Sequence, residues 1–177
     1  MTELFVPTIY LGIDVGLSGS LCFMNPNLSI IQVVPMPKNK GKQDNEAIIK
    51  LLKPYSKVNT KACIEEQFIL RSQGITSGIT TIENYGIIVG ILLALGIEVK
   101  PVRSQTWQSH HKTKEALIFP DIEKLTLKDT KKRSLSLAKT LYPNQTLLPT
   151  SKCKKLSDGI SDSILIARYH AEVLEEV

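Results

Sequence analysis

Short β-branched apolar runs come first along the chain, and longer helical periodicities follow. Ile9 to Val15 is the first such run and ends in Asp14-Val15-Gly16. Gly19 to Phe23 and Ile30 to Val34 come next, separated by Asn-Pro-Asn, and the three together predict a three-strand meander. Lys38 to Lys42 is polar and predicts a loop. From Asp44 to Leu52 the apolar positions 47, 48, 51 and 52 have helical spacing, and Pro54 stops that helix. Ala62 to Phe68 predicts a fourth strand, although Glu65 and Glu66 interrupt what a buried strand should present as continuous hydrophobics.

Ser72 to Gly78 reads as a Gly/Ser loop. Thr80 to Leu95 is an apolar helix rich in small residues, with Gly96 as its stop, and Ile97 to Val102 is a fifth strand. Ser104 to His111 opens a short helix around the only tryptophan, Trp107, and Lys112 to Lys128 reads as irregular. Thr130 to Leu141 is a basic amphipathic helix, Pro143 to Leu156 a loop, and Asp158 to Glu175 a final helix. The order predicts a single α/β domain over residues 1–177: a five-stranded mixed sheet, antiparallel then parallel, flanked by helices.

Composition narrows the class. A chain of 177 residues with 42% hydrophobic and 22% charged residues holds one proper core and is not a disordered chain. Lys and Arg total 22 against 17 Asp and Glu, for a net charge of +5, which leans towards a polyanionic partner. The three cysteines lack CxxC spacing, so neither a disulfide framework nor a zinc knuckle is expected, and a soluble protein of a reducing compartment fits. The N-terminal residues do not read as a signal peptide. The longest apolar stretch, Gly86 to Ile97, falls well short of the ~20 residues that span a bilayer, so no membrane partner is expected.

Four carboxylates stand where the local pattern would prefer something else: Asp14 at the end of the first strand, Glu65 in the fourth, and Asp158 and Asp162 at the start of the last helix. Each has an ordinary reading. Asp14 could support a turn, Asp158 could be an N-cap, and Asp162 could be a favourable charge near the helix start. Glu65 is harder to explain in this way, because Ala62, Ile64 and Phe68 give a carboxylate no evident reason to be there. In the last helix Ile160, Ile164, Ala167, Ala171 and Leu174 form one apolar stripe, while Asp158 and Asp162 share the other side with Leu165 and Tyr169. Two apolar sides predict a helix lying between layers, with its aspartates at the sheet edge where strands one and four end. Two such charges ~4 Å apart repel by about 4 kcal/mol at an effective dielectric of 20, so a cluster calls for a cation or for protons. All-oxygen donors suit Mg²⁺ or Mn²⁺, and a pair of such ions can hydrolyse a phosphodiester without a nucleophilic side chain. Among the histidines, His170 reads as structural and His110 and His111 as phosphate contacts, with no metal-binding spacing between them.

These residues resemble a known family. Gly12-Ile13-Asp14-Val15-Gly16, Ile64-Glu65-Glu66-Gln67-Phe68, and Asp158-Gly159-Ile160-Ser161-Asp162 through Ala167 look like the successive motifs of RuvC-type Holliday junction resolvases. Gly90 to Val102 with Trp107, and Lys131-Lys132-Arg133 leading to Leu141-Tyr142-Pro143, look like the phage and chloroplast branch. The resemblance implies a ribonuclease H-like fold, a homodimer, and paired symmetric nicking of a four-way DNA junction with two Mg²⁺ or Mn²⁺ ions per active site. It implies that Asp14, Glu65, Asp158 and Asp162 are the catalytic metal ligands; the register leaves Glu65 or Glu66 as the strand acid, alternation and the spacing to Phe68 favour Glu65, and Glu66 is an additional candidate acid. Phe68 matches an aromatic that wedges into the junction centre in some members; its ordinary reading is core packing. The terminal acids are four apart where some bacterial members space them by three, and the segment from about Thr113 to Leu127 has no counterpart.

DNA contacts would come from the basic clusters: Lys38, Lys40 and Lys42; Arg71; Lys112 and Lys114; Lys131, Lys132 and Arg133; and Lys152, Lys154 and Lys155. For any single lysine, a solvated loop is the plainer reading. Gly86, Gly90 and Ala94, four apart on the apolar helix, predict a dimer contact there. The alternatives are a related metal-dependent nuclease acting on RNA or other branched DNA, and a junction-binding protein that does not cleave.

Overall fold

Alternation along the first strand, β1 (Ile9–Asp14), decides how the layers are arranged. In the computed structural model, which describes residues 8–68, 75–118 and 130–175, Leu11 and Ile13 face one side of the sheet and Tyr10 and Gly12 the other. β1 pairs antiparallel with β2 (Ser20–Met24), which pairs antiparallel with β3 (Ile30–Pro35), forming the expected meander. A two-stranded hairpin, β4 (Lys38–Asn39) and β5 (Lys42–Gln43), replaces the expected loop. Its tip runs through positive φ at Lys40 and Gly41, which lets the chain reverse.

Helix α1 (Asn45–Leu52) begins at Asp44, whose side chain accepts a hydrogen bond from the Ala47 amide at 3.0 Å. Strand β6 (Thr60–Glu65) is parallel to β1, and after helix α2 (Ile75–Ala94) strand β7 (Glu98–Val102) is parallel to β6. The five-stranded sheet has the order β3-β2-β1-β6-β7, mixed as expected. Helices α3 (Ser104–Ile118), α4 (Thr130–Leu141) and α5 (Asp158–Glu175) follow.

Some boundaries moved. α2 starts inside the stretch expected as a Gly/Ser loop. α3 runs past His111 to Ile118, because Lys112 to Ile118 is made of good helix formers. The rest of the stretch expected to be irregular lies outside the described residues.

Against one sheet face, Leu11, Ile13, Leu21, Phe23, Ala62 and Ile64 pack with Ile48 and Leu52 of α1 and Ile88 and Leu92 of α2. Against the other, α5 runs centrally. Ile160, Ile164, Ala167 and Ala171 meet Tyr10, Cys22 and Met24, while Leu165 and Ile166 meet Cys63, Val102, Trp107 and Leu137. The helix is thus apolar on two sides, as its sequence predicts. Contact this close needs glycine beneath it: a Cβ on Gly12 would lie 2.3 Å from the Ser163 carbonyl oxygen and the Ala167 nitrogen.

Candidate active site at the sheet edge

The last paired residues of the two central parallel strands are Ile13 and Ile64, and both point into the α1–α2 core. The next residue on each strand is Asp14 or Glu65, and alternation turns both towards α5. The two carboxylates therefore leave adjacent strand ends on one face. Glu66 goes the other way. Its Oε2 lies 3.5 Å from Arg103 Nε and its charge acts on Tyr85 of α2, while its amide donates to the Val102 carbonyl.

The N-terminal turn of α5 is fixed over this edge by short polar contacts. Ser20 Oγ donates to the Gly159 carbonyl at 3.0 Å and meets Ser163 Oγ at 2.5 Å, and Ser157 Oγ donates to the Ser18 carbonyl at 3.4 Å. Ser157 Oγ also accepts from the Ile160 amide at 3.4 Å, so the cap of α5 is Ser157, and Asp158 is its first helical residue. At Gly159 a Cβ would come within 2.2 Å of the Ser18 oxygen and 2.9 Å of Asp14 Oδ2, which places this turn directly against the Asp14 carboxylate. Asp158 and Asp162 are one turn apart on the side of α5 that continues into Leu165. Leu165 packs with Cys63 and Trp107, so that side faces β6 and α3. Asp162 Oδ1 is sealed from solvent.

Glu65 is mostly buried, and that burial raises its carboxyl pKa above the ordinary value. A hydrogen bond from Trp107 works in the opposite direction, with Nε1 donating to Glu65 Oε2 at 2.9 Å. Trp107 is itself buried, and sequence reasoning gave it no role in positioning an acid. The sequence marks it only as the sole tryptophan and as part of the stretch that resembles the phage and chloroplast branch.

The donor set is entirely carboxylate oxygen, which fits a hard divalent cation such as Mg²⁺ or Mn²⁺. Asp14, Glu65, Asp158 and Asp162 gather at one edge without closing to the tightest metal-ligand spacing. Among the described residues, the group whose ligand atoms all lie within 4.8 Å of one another is His110, His111 and Glu172. This corrects the reading of both histidines. His111 is 4% exposed with Nε2 2.8 Å from the Leu165 carbonyl oxygen, and His110 Nε2 is 2.8 Å from Glu172 Oε2, so neither ring is presented to a phosphate. His170 is buried and packs its ring against Tyr10, in keeping with a structural role.

Around the edge, Phe68 lies beyond the end of β6 and is 58% exposed, so it is not a core residue. Lys152, Lys154 and Lys155 are exposed on the loop leading into α5, which is anchored by buried Leu147 and by the Ser157 amide donating to the Leu147 carbonyl. Lys112 is exposed on α3 and Lys132 on α4, Arg133 is half-buried, and Lys131 belongs to the first turn of α4. Arg71 lies outside the described residues. Among the described residues no helix is long and apolar enough to cross a membrane.

No protein-family model matches the chain, and no curated protein matches it by sequence. Solved structures do. Thermus thermophilus RuvC in complex with Holliday junction substrate aligns at a TM-score of 0.61 and 12% identity, covering 95% of this chain and 96% of that one. The yeast mitochondrial Holliday junction resolvase Ydc2 aligns at a TM-score of 0.57 and 15% identity, covering 98% of this chain and 83% of that one. At such identities the likeness is one of fold, and this chain has the ribonuclease H-like fold of the RuvC-type resolvases over nearly its whole length.

Proposed function

We propose that this chain is a structure-specific endodeoxyribonuclease that resolves four-way DNA junctions by paired, symmetric nicks. The observation that carries the reading is the placement of Asp14 and Glu65 at adjacent strand ends, under the helical turn that bears Asp158 and Asp162. Two neighbours of the same fold support the choice of substrate, since one was solved with Holliday junction substrate and the other is a Holliday junction resolvase.

In this reading Asp14, Glu65, Asp158 and Asp162 hold two Mg²⁺ or Mn²⁺ ions. Bound there, such ions supply an activated water and charge stabilisation for the leaving oxygen. The chain contributes position. Trp107 holds Glu65, Ser20 and Ser157 hold the α5 turn against Asp14, and Asp162 keeps its Oδ1 sealed from solvent. Exposed Lys152, Lys154, Lys155, Lys112 and Lys132, with Lys131 and Arg133, take backbone phosphates, and Arg71 belongs to the same set. Phe68, exposed beside the acids, stacks in the junction centre.

Two symmetric nicks require two active sites, and one domain supplies one. The second copy docks on α2. Its outer face exposes Ile79, Ile82, Ile87 and Leu93, with Gly86 and Gly90 between them and open space where their Cβ atoms would be. On motif grounds, the stretch from Gly90 to Val102 with Trp107 and the Lys131-Lys132-Arg133 segment place the chain with the phage and chloroplast branch in this reading.

The deciding experiment is incubation with an end-labelled four-way junction and Mg²⁺, beside a panel of RNA, fork and linear substrates. The expected result is paired nicks in the junction alone, and a fully active Asp14→Asn variant would overturn the assignment.

A further inference from the structure

The far end of α5 carries a second constellation with a different chemistry. Glu172 lies ten residues beyond Asp162, about 15 Å along the helix axis at 1.5 Å per residue. Opposite it on α3 are two consecutive histidines. Neighbouring helical residues normally diverge, yet the His110 and His111 rings sit 5.3 Å apart, centroid to centroid, at 78°.

Two of the three side chains, His111 and Glu172, are held as metal ligands would be. His111 places Nε2 2.8 Å from the Leu165 carbonyl oxygen. A carbonyl only accepts, so Nε2 carries the hydrogen and Nδ1 keeps its lone pair. A backbone carbonyl fixing the tautomer of an imidazole is the usual outer support of a metal-bound histidine. Glu172 is only 9% exposed at its side chain, with Arg168 Nη2 2.9 Å from Oε1 and His110 Nε2 2.8 Å from Oε2. Arg168 thereby orients the carboxylate from outside and leaves Oε2 turned towards the histidines.

The spacing allows an ion. With all ligand atoms within 4.8 Å of one another, a central ion would be no more than about 2.8 Å from each, close to the ~2.0–2.2 Å of Zn–N and Zn–O bonds. Two imidazoles and one carboxylate favour a borderline transition metal over Mg²⁺, and a water would complete four-coordination. We propose that His110, His111 and Glu172 form a zinc-class site that clamps α3 to the C-terminal half of α5. The clamp would also steady Trp107, one turn before His110 and His111 on the same helix and in edge contact with the His111 ring.

The test uses the whole protein, stripped with a chelator and kept in millimolar Mg²⁺ so that the carboxylate edge is occupied. Titration with Co²⁺ should develop the visible absorption of a four-coordinate N/O site, saturating at one equivalent, and Zn²⁺ should abolish it. Zn²⁺ should also raise Tm by about 5 °C at a hundredfold excess over its Kd. Asp14→Asn should keep both responses. His110→Ala and Glu172→Gln, each checked for folding by circular dichroism, should lose them. Absence of the Co²⁺ band and of the Zn²⁺ shift in the unmodified protein would overturn the site, and so would unchanged responses in both variants.

Discussion

Trp107 Nε1 donates a 2.9 Å hydrogen bond to Glu65 Oε2 across 42 residues of sequence, joining α3 to the end of β6. The bond favours the ionised carboxylate, while burial opposes it. Trp107→Phe keeps an aromatic ring in the same space and removes only the donor. Cleavage should fall about tenfold at neutral pH, equivalent to about 1.4 kcal/mol. The Glu65 pKa should rise further, so the acid limb of the rate profile should move to higher pH and activity should recover in alkaline buffer. A purely structural role for Trp107 would lower the rate without moving that limb.

Glu65→Gln tests the same burial from the other side. Because the folded-state pKa of Glu65 is raised, its ionisation costs stability above that pKa, and the cost disappears as the pH falls below the unfolded value. Glutamine retains an acceptor for Trp107 and has no charge. In chelator at pH 8 the variant should melt about 1–4 °C above the unmodified protein, and the gain should vanish near pH 4. Scanning calorimetry at the two pH values measures both, and junction cleavage should be lost throughout.

Much of this arrangement is legible in the sequence where a local physical rule governs it. α5 runs from Asp158 to Glu175 and α4 from Thr130 to Leu141 as their periodicity predicts, and Asp14 and Glu65 stand at adjacent strand ends, with the first turn of α5 against Asp14. What stayed hidden depends on distant partners. Nothing near Trp107 announces Glu65, and nothing near His110 announces Glu172, 62 residues away. His111 is buried in a segment with mostly polar neighbours, so no apolar pattern marked it. The ordinary N-cap reading of Asp158 does not hold, because Ser157 beside it takes the cap.

Gly12 and Gly159 set how closely α5 approaches the sheet. Their Cβ atoms would meet backbone at 2.3 and 2.2 Å, and backbone cannot rotate aside as a side chain can. Gly12→Ala should cost about 2–3 kcal/mol by denaturant titration. Gly159→Ala should cost a similar amount and, because it pushes the helix off Asp14, should also lower cleavage under conditions where the variant remains fully folded.

Lys152, Lys154 and Lys155 are exposed on the loop that enters α5, next to the acidic edge. If all three contact phosphates, replacing them with alanine should flatten the plot of log junction affinity against log salt by about 2 to 3, at ~0.9 per contact. Fluorescence anisotropy from 50 to 300 mM salt would measure the slope. An unchanged slope would assign these lysines to solvent.

Leu93 is 61% exposed on α2, beside exposed Gly90 and Ala94. A lone surface leucine is common. Leu93 instead belongs to a face that also exposes Ile79, Ile82 and Ile87, an apolar patch that a second copy would cover. A glutamate at its centre would have to be buried unpaired, at a cost large enough to prevent association at micromolar concentration. Leu93→Glu should therefore sediment at the 19.7 kDa chain mass where the unmodified protein sediments at twice that. It should also cut junctions in one strand at a time, because each monomer carries a single set of acids. An unmodified protein that sediments as a monomer and still makes paired nicks would exclude this face as the dimer contact.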